Sequence, residues 1–153
     1  MGFFQSVNEF VFGPVPTIAA SYPFPLEPDR RTVLVVDDDT ALLDSVQFLL
    51  HDAGYNVLKT DRGVKSLEVL DFIPRDIGVV LLDYSMPELD GDHTLTLLRK
   101  INPRVKVIAF TGMAPDRLPE SFRKGVDAII TKPFRSNDLI ESINFLLGEP
   151  TPV

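Results

Sequence analysis

From residue 31 onward the chain alternates between two hydrophobic rhythms. Short aliphatic runs at 32–36, 78–82, 105–110 and 128–131, with a weaker one at 56–59, have the length and β-branched content of strands. Between them, apolar residues recur every three or four positions, the period of a helix with one buried face. The first stripe is Leu42, Val46, Leu49, Leu50 and Ala53, with Asp39 or Thr40 able to cap its start and Gly54 to end it. The second is Val64, Leu67 and Leu70, closed before Pro74, and the third is Leu95, Leu98 and Ile101, closed before Pro103. A poorer helix spans 114–124, with prolines at 115 and 119. The last is expected to open with Ser136 as its cap and to bury Leu139, Ile143, Leu146 and Leu147.

Five strands alternating with five helices predict an α/β fold, a doubly wound (βα)5 unit with a mostly parallel five-stranded sheet covered on both faces. Its crossovers are expected to be right-handed. The first, third and fourth strands are apolar without alternation, so they are expected to be central. Residues 1–30 break the rhythm. They hold five prolines and six aromatics and almost no charge before Glu27. That composition suits neither one regular element nor a charged disordered tail. The expected division is a Pro- and aromatic-rich extension over 1–30, a folded domain over 31–148 and a short tail over 149–153. The aromatics of the extension are expected to pack on the domain or on a partner, because six of them left exposed would form a sticky patch.

Composition narrows the function classes. The chain has 153 residues, 44% of them hydrophobic, which suits one domain with a real core plus an appendage. A net charge of −7 argues against unaided nucleic-acid binding. The absence of cysteine excludes disulfides and thiolate metal sites. No apolar run approaches the roughly 20 residues of a membrane span. The first residues lack the basic region of a signal peptide, so a cytoplasmic protein is expected.

In open α/β sheets, ligands bind at the carboxyl ends of the strands. The first strand ends in Asp37, Asp38 and Asp39, the third in Asp83, the fourth in Thr111 and the fifth in Lys132. Adjacent carboxylates repel one another, so a compensating cation is expected. Carboxylate oxygens with a carbonyl and water form a hard octahedral site, which suits Mg²⁺. A carboxylate beside that ion can attack phosphorus. Lys132, the Thr111 hydroxyl and backbone N–H groups can then hold the phosphoryl oxygens. His51 and His93 fall on helices and are expected to be solvated rather than ligands, and Phe110 is expected in the core.

The stretches VLVVDDD, VVLLDYSMPELDG, VIAFTG and IITKPF, in that order, resemble the response-regulator receiver domains of two-component signalling. The resemblance covers roughly residues 31–148 and implies a flavodoxin-like sheet of order 2-1-3-4-5. It implies Asp83 as phosphoacceptor, and Asp37, Asp38, Asp83 and the Ser85 carbonyl as Mg²⁺ ligands. Thr111 and Lys132 become the phosphoryl-binding pair, and the Lys132–Pro133 bond is expected to be cis. Asp39, one place beyond the acidic pair, reads as a helix cap. Implied partners are a sensor histidine kinase or phosphotransfer protein and a downstream protein target. The output surface is helix four, strand five and helix five, which is also a possible homodimer face. With only GEPTPV after Leu147, a stand-alone receiver or one cut from a longer chain is expected.

Three positions depart from or qualify the pattern. Ile129 stands where the family usually has Tyr or Phe, which bears on the usual switch. Met113, near the phosphate entrance, positions water poorly. Ser85 is the side chain two residues after Asp83. Slow self-hydrolysis of an aspartyl phosphate is expected from this. Two rival readings stand beside the receiver. One is an interaction module of the same fold working without phosphorylation. The other is a haloacid-dehalogenase-type phosphatase with Asp37 as nucleophile and Asp39 as acid, though RSNDLIESINFLLGEP supplies no convincing later acidic motif.

Overall fold

The computed structural model describes residues 26–72 and 76–149. Among these, five strands form one sheet: β1 Thr32–Val36, β2 Asn56–Thr60, β3 Ile77–Leu82, β4 Lys106–Thr111 and β5 Ala128–Thr131. Every neighbouring pair is parallel and the order is β2-β1-β3-β4-β5. The crossovers contain α1 Thr40–Asp52, α2 Gly63–Phe72, α3 Gly91–Ile101, α4 Glu120–Gly125 and α5 Ser136–Leu147.

Side chains alternate across a sheet, so each strand feeds two cores. Leu34, Val36, Val80, Leu82, Val107 and Ala109 point to one side, where they meet Leu70, Leu95, Leu98 and Phe122 of α2, α3 and α4. Val33, Val35, Val79, Leu81, Ile108 and Phe110 point to the other, against Leu43, Val46, Leu50, Leu139 and Ile143 of α1 and α5. This double burial explains the unbroken apolar runs of β1, β3 and β4, the three interior strands. Burying each such side chain contributes roughly 1.5–3 kcal/mol.

Residues 26–31 are tied to the amino end of the sheet. The buried Asn56 side chain accepts from the Glu27 N–H at 2.8 Å and donates to the Glu27 and Arg30 carbonyls at 2.7 and 3.1 Å. Arg30 reaches the His51 carbonyl at 3.0 Å, and the His51 side chain is half-buried rather than fully solvated. The aromatics of the extension all lie outside the described residues, as do Pro74 and the tail from residue 150.

Several local expectations shift. The helix expected over 114–124 is a 3-10 turn, Pro115–Arg117, followed by α4. Pro119 causes the break: it has no N–H to donate, and it holds Leu118 extended with ψ 142°. In α2 the buried stripe is Gly63, Ser66, Val69 and Leu70, while Val64 is exposed. Small residues win here because α3 passes close by: a Cβ on Gly63 would sit 2.4 Å from the Thr94 hydroxyl. Ser136 is the first residue of α5, not its cap. Arg135 takes that position without a side-chain bond, its carbonyl accepting from Leu139. The Phe134 ring, edge-on to Phe110 at 4.9 Å, holds the chain in this register. Asp39, rather than Thr40, caps α1, accepting from the Leu42 N–H at 3.1 Å.

On α1 the buried face includes Gln47, whose Oε1 has no hydrogen-bond partner among the described residues. A buried carbonyl without a donor costs about 1–3 kcal/mol. Gln47→Met is therefore expected to raise the unfolding free energy by about 1 kcal/mol in urea titrations. A loss of stability would show that the oxygen is satisfied in solution.

Candidate functional site

The parallel order brings the carboxyl ends of β1, β3, β4 and β5 to one pole. Backbone bonds fix the end of β1 between its neighbours: Asp83 N–H donates to the Val36 carbonyl at 3.0 Å, and Asp37 N–H to the Thr60 carbonyl of β2 at 3.1 Å. One carboxylate oxygen from each of Asp37, Asp38 and Asp83 then lies within 4.8 Å of the others. Asp37 and Asp83 are buried and Asp38 is exposed. Asp37 accepts from the Asp39 N–H at 2.9 Å and from the Lys132 ammonium. The same ammonium is 3.8 Å from the Asp83 carboxylate and 5.0 Å from the centre of the Phe110 ring.

Burial pushes the Asp83 carboxyl up to about 6, and the neighbouring Asp37 carboxylate adds to this. Lys132 and the Ser85 backbone N–H pull it back without cancelling the rise. The pocket therefore holds more negative charge than its resident cation balances. Oxygens of an octahedral Mg²⁺ shell, with bonds near 2.1 Å, stand about 3–4.2 Å apart. The three carboxylates supply hard oxygen donors within 4.8 Å of one another and would draw closer to share such an ion.

Lys132 is carried by the turn after β5, where its N–H donates to the Thr111 carbonyl at 2.8 Å and the Lys132–Pro133 bond is cis. Thr111 is buried at the end of β4. Its hydroxyl accepts from the Met113 N–H at 3.2 Å, within its own loop and not from the acidic cluster. The Ser85 hydroxyl lies 3.6 Å from the Met113 sulfur, so the loops after β3 and β4 touch across the mouth of the pocket. That contact is invisible in sequence, because nothing local pairs a serine with a methionine 28 residues away.

Two further features support the loop after Asp83. Tyr84 stacks at a tilt on Phe122 of α4, with ring centres 5.2 Å apart. Gly91 opens α3 so close that a Cβ would stand 2.7 Å from both the Asp83 carbonyl and the Tyr84 Cα, and 3.2 Å from Phe122. Backbone cannot yield cheaply there. Gly91→Ala is expected to destabilise the fold by about 1–3 kcal/mol and to displace Asp83; an unchanged melting temperature would count against the tight approach. His93, beside it in the first turn of α3, is exposed and held 2.8 Å from Asp90. Asp90 raises the imidazole pKa, and the His93 backbone N–H, with the ring, lowers that of Asp90.

Comparison with known proteins agrees with the geometry. The cell cycle response regulator CtrA of Brucella ovis is 30% identical over 117 residues, 75% of this chain and 49% of that protein. The chain thus spans about half the length of the curated relatives it matches. A response regulator receiver domain protein from Clostridium thermocellum superposes with a TM-score of 0.71 at 30% identity, covering 76% of this chain and 94% of the other. The response regulator TrrA of Thermotoga maritima, solved in complex with Mg(2+)-BeF, gives 0.68 at 26% identity, covering 76% of this chain and 99% of the other. Residues 33–144 match the sequence model of the response regulator receiver domain, and with the sheet order and acidic pole described above this chain belongs to that family of two-component signalling domains.

Proposed function

We propose that this domain accepts a phosphoryl group on Asp83 from a histidine kinase or a phosphotransfer protein and passes the signal on by protein contacts. The convergence of Asp37, Asp38, Asp83 and Lys132 in one pocket carries this reading. The relative solved with Mg(2+)-BeF supports it. Asp37, Asp38, Asp83 and the Ser85 carbonyl would hold Mg²⁺, which when bound supplies charge neutralisation for the phosphoryl oxygens.

An oxygen of Asp83 attacks phosphorus as the bond to the donor's imidazole nitrogen breaks, and the electron pair leaves with that nitrogen. Lys132 stands ready to follow a phosphoryl oxygen, and the Thr111 hydroxyl reaches it by leaving the Met113 N–H. The new group adds a charge of about −1.5 to −2. The domain turns over no external substrate. Output is assigned to the face of α4, β5 and α5, where Ile129 is half-buried against the core on the α4 side. Isoleucine can shift there but has no ring or hydroxyl to expose or hide. Asp37, 1% exposed and bound by both Lys132 and the Asp39 N–H, is poorly placed as a nucleophile.

The test is intact-protein mass after incubation with acetyl phosphate and Mg²⁺. The expected result is one added phosphoryl group in the wild type and none in Asp83→Asn. No gain in either protein would favour an interaction module that works without phosphorylation. An adduct that survives Asp83→Asn and disappears with Asp37→Asn would instead indicate phosphatase-like chemistry. The Ser85–Met113 contact at the pocket mouth limits ordered water, so self-hydrolysis is expected to be slow. A phosphoryl lifetime of seconds would contradict that.

A further inference from the structure

The opposite pole carries an unassigned cleft. The amino ends of β3 and β4, residue Arg31 before β1 and the end of α5 border an open cleft of about 320 Å³. The floor is apolar, with Ile77, Val105 and Leu147, and the walls bring together Arg31, Arg104 and Lys106. This reverses the character of a chain whose net charge is −7. Gly78 allows the closeness: a Cβ there would stand 2.6 Å from the Leu147 side chain and 3.3 Å from the Arg31 guanidinium.

The simplest explanation is that these cations offset the carbonyl ends of α3 and α5. Backbone bonds already take up part of those ends. Asn102 N–H bonds the Leu98 carbonyl, and the Gly148 and Glu149 N–H groups bond carbonyls of α5. Arg99 takes the Val105 and Gly125 carbonyls and the Asp127 carboxylate. Among the described residues the one ion pair on this rim joins Arg31 to Glu149, at 3.2 Å and largely exposed. Arg104 and Lys106 are exposed and carry charge that this bonding leaves unused. Glu149 itself displays the chemistry that fits: a carboxylate on Arg31 beside an apolar floor.

We propose that this cleft docks an acidic, partly apolar peptide segment of a partner protein. Its carboxylates pair with Arg104 and Lys106, one of them displaces Glu149 from Arg31, and an apolar side chain fills the floor. The cavity is at the small end of ligand sites, which suits a few side chains of a peptide. Strands of five or six residues at about 3.3 Å per residue place the cleft roughly 20 Å from Asp83. Docking there leaves the acidic pocket open, so the contact is independent of phosphorylation.

The test is an amide NMR titration of the full chain with a short blocked peptide alternating Glu and Leu. A Lys–Leu peptide and inorganic phosphate serve as comparisons. Shifts are expected to cluster at Arg31, Gly78, Lys106 and Leu147, with none from the Lys–Leu peptide. Arg104→Glu combined with Lys106→Glu is expected to weaken binding at least about tenfold, because like charges then face the peptide. Lys106→Gln alone, a milder change at an exposed position, is expected to weaken it less. Adding Mg²⁺ and beryllofluoride is expected to leave the affinity unchanged. The proposal is overturned by no shifts at millimolar peptide, by shifts elsewhere, by full affinity in the double variant, or by phosphate reproducing the same shifts with equal affinity.

Discussion

Asp83→Asn is expected to make the metal-free protein more stable at pH 7, by about 2–3 kcal/mol, while abolishing phosphoryl uptake. The reason lies in the carboxyl itself. Burial and the Asp37 carboxylate raise its pKa from 3.8 to about 6, so the folded state holds the proton more tightly than the unfolded state. Between those two values folding takes up a proton, and stability falls as pH rises through that window. Above about 6 the full penalty is present; below 3.8 both states are protonated and it vanishes. A shift of about two units corresponds to about 3 kcal/mol at the upper limit. Asparagine keeps the shape and carries no charge, so its advantage should be largest at pH 7.5 and close to zero near pH 3.5. Urea denaturation in a chelator at several pH values checks this. An advantage that persisted unchanged at low pH would show that shape or hydrogen bonding, and not charge, is responsible. Added Mg²⁺ is expected to stabilise the wild type more than the variant, because ions that bind only the folded state shift its equilibrium.

The second large effect is expected at Lys132. Its ammonium is mostly buried and joins Asp37, which is 1% exposed, while standing 3.8 Å from Asp83. Lys132→Met keeps an unbranched apolar side chain and removes the charge, including the ammonium that stands over the Phe110 ring. Two buried carboxylates are then left facing each other. Removing one partner of a buried ion pair costs about 3–5 kcal/mol, and the 22% exposure of the Lys132 side chain places the expectation near the lower end. The loss should shrink markedly in the double variant Asp37→Asn with Lys132→Met, since the uncompensated charge is then gone. Equal losses in the single and double variants would mean that packing of the stem, not the ion pair, sets the cost. Phosphoryl occupancy from acetyl phosphate is expected to fall in Lys132→Met even under conditions that keep it folded.

These two positions were legible from local sequence because each follows an aliphatic run. Asp83 ends VVLL and Lys132 ends IIT, and in a parallel sheet every strand of one direction delivers its next residue to the same pole. Thr111 and the Asp37–Asp38 pair follow by the same rule. The strands themselves were legible for a related reason. Double burial leaves β1, β3 and β4 with no polar face, and that signature survives in the bare string of residues.

Helices faced by other helices were less legible. The period of Val64, Leu67 and Leu70 describes a plausible buried face of α2, yet the near approach of Thr94 turns Gly63 and Ser66 inward and Val64 outward. Pro119 marks a break only once Leu118 is known to be buried against the core at that point. Ser136 has the right chemistry for a cap, but Phe134 on Phe110 sets the register one residue earlier.

By itself, then, the order of residues determined the five-fold alternation, the central strands and the identity of the groups at their ends, because hydrophobic period and strand-end chemistry act over a few positions. Tertiary structure alone decided that Lys132 rests on Asp37 across 95 residues, that Ser85 meets Met113 and that Tyr84 meets Phe122. It alone produced the raised Asp83 carboxyl and the basic cleft at the far pole. Burial and Coulomb interaction depend on distance through space, and only the folded chain sets those distances.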